Sequence, residues 1–149
     1  MKLKTILHLL LIILFFTISA ASAETKKDQS VSLKSDKSVI VNYFHGKRRC
    51  VTCQKLEAYA KEALEINFAD ELADKTIQWK VTDMSTKENR HFAEDFQLVS
   101  QSLVLTMQEN GKQTTWKNLD QIWQLVRDKE TYMKYVRDSV KEFLGNNNG

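Results

Sequence analysis

The chain has 149 residues, 22 of them basic and 19 acidic, with two cysteines, four glycines and no proline. Two cysteines exclude a scaffold of several disulfides. The near balance of charge gives no nucleic-acid footprint, and glycines this sparse leave no phosphate loop or dinucleotide turn.

Met1 to Ala23 carries Lys2 and Lys4, an apolar run from Leu9 to Phe16, and then Ala21-Ser22-Ala23. A basic start, a short apolar stretch and a small-x-small end make a secretory signal peptide, removed on export to the periplasm or outside the cell. The apolar run is short for crossing about 30 Å of hydrocarbon, so no membrane association is expected once the signal is removed. Residues 24–37 are rich in Lys, Ser, Asp and Gln and read as a flexible linker, leaving 38–149 as one domain.

Ser38 to Phe44, with Val39, Ile40, Val41, Tyr43 and Phe44, predicts a strand buried on both faces. Gly46 ends it, and from Cys53 onward Leu56, Ala60, Ala63, Leu64 and Phe68 recur at helical spacing. Thr76 to Asp83 alternates Ile77, Trp79 and Val81 with polar residues, which predicts a second strand, parallel to the first across a helical crossover. Ser85 with Glu88 forms a capping-box pair opening a short helix through Phe92, Ala93 and Phe96. Ser102 to Glu109, Asn110-Gly111 and Gln113 to Trp116 predict a hairpin. Asn118 is placed to cap a helix bearing Leu119, Ile122, Trp123 and Val126, with a break or bend at Asp128-Lys129 before a last helix through Tyr132, Val136, Val140 and Leu144. The aromatic set Trp79, Trp116, Trp123, Tyr132 and Tyr135 lies at spacings that suit core or half-exposed packing. His91, on a helix beside Phe92, suits a solvated or half-buried face.

The order β-α-β-α-β-β-α is the minimal thioredoxin order: an α/β fold whose central mixed sheet of about four strands has helices on both faces. Cys50-Val51-Thr52-Cys53 falls where the first strand hands over to the first helix, the context in which C-x-x-C reads as a redox pair. At a helix N-terminus, orphan N–H groups and the macrodipole favour a thiolate, and Arg48 and Arg49 can add positive charge. Cys50 is then the attacking sulfur and Cys53 the resolving one. A stabilised thiolate makes the disulfide more oxidising. The cofactor expectation is none beyond a redox-active disulfide, and the partner expected is a protein carrying a disulfide or dithiol. Three other readings compete. The pair can be a static disulfide; Cys50 and Cys53, with His45 as third ligand, can bind a soft metal or arsenical; or the fold can serve as an accessory docking subunit. His45 can also be a proton shuttle or a plain loop residue.

Tyr43-Phe44-His45-Gly46-Lys47-Arg48-Arg49-Cys50-Val51-Thr52-Cys53, followed by Glu57-Ala58-Tyr59, resembles a family of small exported thioredoxin-like proteins, the nitrophenyl compound nitroreductase subunit family of ArsF type. The resemblance runs on through Ser102-Leu103-Val104-Leu105 and Lys117 to Trp123. It implies a thioredoxin fold and a redox association, with an electron-passing subunit as one form of it. Compared with thioredoxins at large, the chain lacks the tryptophan before the first cysteine and the proline inside the motif. It also carries Gln101 about where thioredoxins place a cis-proline facing the thiols. A cis bond before a non-proline residue costs about 3 kcal/mol, so a trans peptide is expected at that loop.

Overall fold

A computed structural model describes residues 37–146. The signal-peptide and linker readings for residues 1–36, and the end of the Asn-rich tail at 147–149, lie outside the described residues.

Strand β1 (Lys37–His45) is central. It pairs with β2 (Ile77–Asp83) on one side in parallel and with β3 (Ser102–Glu109) on the other in antiparallel fashion. Asn110 and Gly111 both take positive φ, 51° and 74°, and turn β3 back into β4 (Lys112–Asn118). Two successive left-handed residues are what a two-residue hairpin turn of the right twist requires, and Asn-Gly supplies them with least strain. Sheet order is β2-β1-β3-β4, with Val41 facing Trp79 on one side and Leu105 on the other.

Helices α1 (Val51–Asn67) and α2 (Ala69–Ala73) connect β1 to β2, and α3 (Phe92–Asp95) lies between β2 and β3. Beyond β4 come α4 (Ile122–Leu125) and α5 (Lys129–Asn146). The expected strand and helix order holds, and with it the α/β, thioredoxin-like architecture.

Alternation along the strands divides the interior in two. Val39, Val41 and Tyr43 of β1 with Leu103, Leu105 and Met107 of β3 share a large cluster with Leu56, Ala60 and Leu64 of α1 and Tyr132, Val136 and Val140 of α5. The neighbours that alternate with them, Phe44 and Val104, join Phe96 and Leu98 in a small cluster edged by Phe92 and Met84. Tyr132 is wholly buried; Trp79 and Tyr135 pack half-buried against the large cluster, and Trp116 meets Phe96 edge to face.

Two helix starts differ from expectation. Ser85 and Glu88 do not open a helix. The Ser85 N–H goes to the Asp83 carboxylate at 2.8 Å, Thr86 Oγ1 accepts the Asn89 N–H, and residues 84–91 form turns, so only Phe92–Asp95 is helical. Short polar side chains that satisfy nearby backbone groups compete with the helix they were expected to cap. Asn118 is likewise no cap: it is the last residue of β4, and the Leu119 N–H prolongs the sheet by bonding the Leu103 carbonyl at 2.9 Å. The break at Asp128 is real. Its carboxylate accepts both the N–H and the hydroxyl of Thr131, which starts α5 afresh.

Candidate functional site

Cys50 ends the loop after β1 in extended conformation, φ −70° and ψ 160°, and its sulfur accepts the N–H of Cys53 at 3.1 Å. Its carbonyl takes the N–H of Gln54 at 3.0 Å, so the residue performs as the N-cap of α1. Cys50 and Cys53 are joined as a disulfide with Cα atoms 5.0 Å apart, well within the range such a bridge spans. Cys50 is exposed while Cys53 is only 3% exposed. One sulfur is therefore open to a partner and its mate is screened.

The first two turns of α1 are held by two tyrosines. Tyr43 on β1 donates its hydroxyl to the Cys53 carbonyl at 2.8 Å, and Tyr132 on α5 donates to the Leu56 carbonyl at 2.7 Å. Burial, with the Glu57 carboxylate adding to it, pushes the Tyr43 hydroxyl from 10.0 up to about 12; burial raises Tyr132 further. Both hydroxyls stay protonated and donating through the physiological range.

His45, at the end of β1, is buried to 8% exposure. Arg49 donates to its Nε2 at 3.1 Å, so that nitrogen accepts and the ring proton sits on Nδ1, reaching the Gly46 carbonyl at 2.9 Å. The same guanidinium donates to the Glu57 carboxylate on α1. Arg49 thus ties the loop before Cys50 to β1 and to the helix, and part of its charge is met by Glu57. Asp83 pairs in register with His45; hydrogen bonds from Ser85 hold its carboxyl below the usual carboxylate range, with the positive charge of Arg49 helping.

Arg48 is exposed and makes no ion pair among the described residues, so of the two arginines only Arg49 is built into the site. Both nitrogens of His45 are engaged. Among the described residues no three His, Cys, Asp or Glu side chains are grouped to hold a metal ion, so Cys50, Cys53 and His45 do not assemble the expected ligand set. Gln101 precedes Ser102, the register partner of Phe44, which places it at the sheet end that carries His45. There are no cis peptide bonds among the described residues, and the Gln101 carbonyl accepts the indole N–H of Trp123 at 2.9 Å. His91 is exposed, as expected, and pairs with Asp95.

Neither a protein-family model nor a curated protein sequence matches the chain. Among solved structures it is similar to a thioredoxin from Thermus thermophilus, at 16% identity over 69% of this chain and 74% of that one, with a TM-score of 0.42. It is also similar to a structure described as a malarial protein, at 22% identity over 54% of this chain and 79% of that one, TM-score 0.36. The strand order itself decides the fold. The fold is thioredoxin-like.

Tyr43, Tyr132, Glu57 and Trp123 belong to the site but stand outside the sequence expectation, which placed the tyrosines and Trp123 as packing residues. A hydroxyl on an otherwise apolar strand or helix stripe was the available signal, because a buried phenol needs a partner. The Arg49 to Glu57 pairing joins a loop to a helix and has no periodicity to reveal it.

Proposed function

We propose that the chain is a thiol-disulfide oxidoreductase whose Cys50–Cys53 disulfide exchanges electrons with a partner protein in the periplasm or an equivalent exported space. The single observation that supports it is the asymmetry of the pair: an exposed Cys50 at the N-cap of α1, bridged to a screened Cys53.

From the disulfide form, a partner thiolate attacks Cys50 Sγ; the Cys50–Cys53 bond breaks, a mixed disulfide forms, and Cys53 leaves as a thiolate. The partner's second thiolate then attacks its own sulfur in the mixed disulfide and frees Cys50. The partner has lost two electrons and this chain holds two thiols, with protons exchanged with water. Run in reverse, the dithiol reduces a partner disulfide, with Cys50 attacking and Cys53 resolving. The N-terminal N–H groups of α1 stabilise a Cys50 thiolate in either direction. Assignment to the nitroreductase subunit family rests on the residues around Arg48-Arg49-Cys50, and passing electrons through the disulfide is the part of that role these residues can perform. The exported location rests on Met1 to Ala23; a mature protein whose mass begins at Glu24 would support it, and an intact leader would contradict it.

Cys50→Ser should abolish turnover of a protein disulfide, and Cys53→Ser should accumulate a mixed disulfide visible on a non-reducing gel. Turnover by both variants at the parent rate would end the proposal.

A further inference from the structure

Charge is unevenly placed around the disulfide although the whole chain is nearly balanced. Lys47, Arg48 and Arg49 lead into α1 and Lys55 lies in its second turn, whereas Glu65, Asp70, Glu71 and Asp74 gather at its far end. Of the four cations, only Arg49 has a carboxylate partner among the described residues; Lys47, Arg48 and Lys55 are exposed and unpaired there. Of the nearby acids, Glu57 is paired with Arg49, and Asp83 accepts the N–H of Ser85.

One pocket has in its lining Thr52, between the two cysteines, Lys55 of α1, and Arg127, after α4. Trp123 and Val126 line it. The indole of Trp123 is 37% exposed and is fixed in place by its bond to the Gln101 carbonyl; Val51, beside Cys50, is 72% exposed. Arg127, like Lys55, is exposed and has no ion pair among the described residues. Two exposed cations that line one pocket beside an indole suit a carboxylate-bearing segment.

We infer that the surface beside the disulfide receives an acidic segment of the partner protein, with carboxylates close in sequence to the reacting cysteine. This rests on the exchange reading above, since a sulfur must reach Cys50. The recognition works mainly through encounter rate and is therefore sensitive to salt.

Two peptide disulfides, alike except for two Glu or two Lys residues flanking the cysteine, offered to the reduced full chain would test it. The acidic peptide should exchange about tenfold faster at roughly 20 mM salt, and the gap should close near about 0.5 M. A double variant, Lys55→Glu with Arg127→Glu, should reverse the preference. Equal rates at low salt, or a preference untouched by the double variant, would overturn the inference. Hydroxyethyl disulfide, small and uncharged, separates the two levels: if the parent fails to reduce it, the exchange reading itself falls, whereas reduction without acidic preference removes only the recognition step.

Discussion

The two interior clusters flank the same sheet yet serve the molecule differently. The large one ties β1 and β3 to two long helices, and through Tyr43 and Tyr132 it reaches the carbonyls of the helix that carries the disulfide. The small one gathers Phe44, Val104, Phe96 and Leu98 around a four-residue helix and adjoining turns. Stability and positioning of the sulfurs thus draw on one cluster, while the other closes off a loop-rich end.

Matched substitutions test that division. Leu105→Ala, in the large cluster, should cost about 4 kcal/mol, and Leu98→Ala, in the small one, about 2 kcal/mol, since looser surroundings collapse more readily around a lost side chain. Urea midpoints give both values, and equal losses would erase the distinction. Tyr132→Phe removes only a hydroxyl and should cost about 1 kcal/mol by the same measurement. Tyr43 adds a dependence on pH. Its folded hydroxyl is held at about 12 against 10.0, so the folded state keeps a proton that the unfolded chain gives up. That stabilisation is complete below about pH 10 and declines as pH rises toward about 12. Urea melts at about pH 9 and 11 should show a larger loss for the parent than for Tyr43→Phe. The smallest effect belongs to Glu57→Gln. Removing that carboxylate leaves Arg49 less neutralised and favours the Cys50 thiolate. Because an exposed pair contributes up to about 1 kcal/mol, the potential should become less negative by at most about 20 mV. A shift to more negative values would show that Glu57 does not oppose the thiolate.

The strands and long helices were legible because each carries one strong pattern: an unbroken apolar run in β1, alternation in β2, an Asn-Gly turn between β3 and β4, and three-and-four spacing in α1 and α5. The C-x-x-C pair at the strand-to-helix junction was legible for a related reason, since a motif and a period break coincide there. What failed were the short segments after β2 and β4. At Ser85 and at Asn118 a polar residue has several local partners, and tertiary pairing chose among them: Asp83 and Thr86 took the turn, and the ladder to Leu103 took Leu119. The site's framework was hidden for the same reason. Arg49 finds His45 and Glu57 through space, and nothing in the spacing of those three residues marks them as neighbours.

The outer strands of the sheet bear on how the protein tolerates crowding. β4 has lysines at Lys112 and Lys117, and its register with β3 slips at Met107/Gln108; β2 carries Lys80. A second copy offered to either border meets ammonium groups, and at β4 a bend as well, where a flat row of free amides would invite it to join, so strand-by-strand polymerisation is discouraged at both margins.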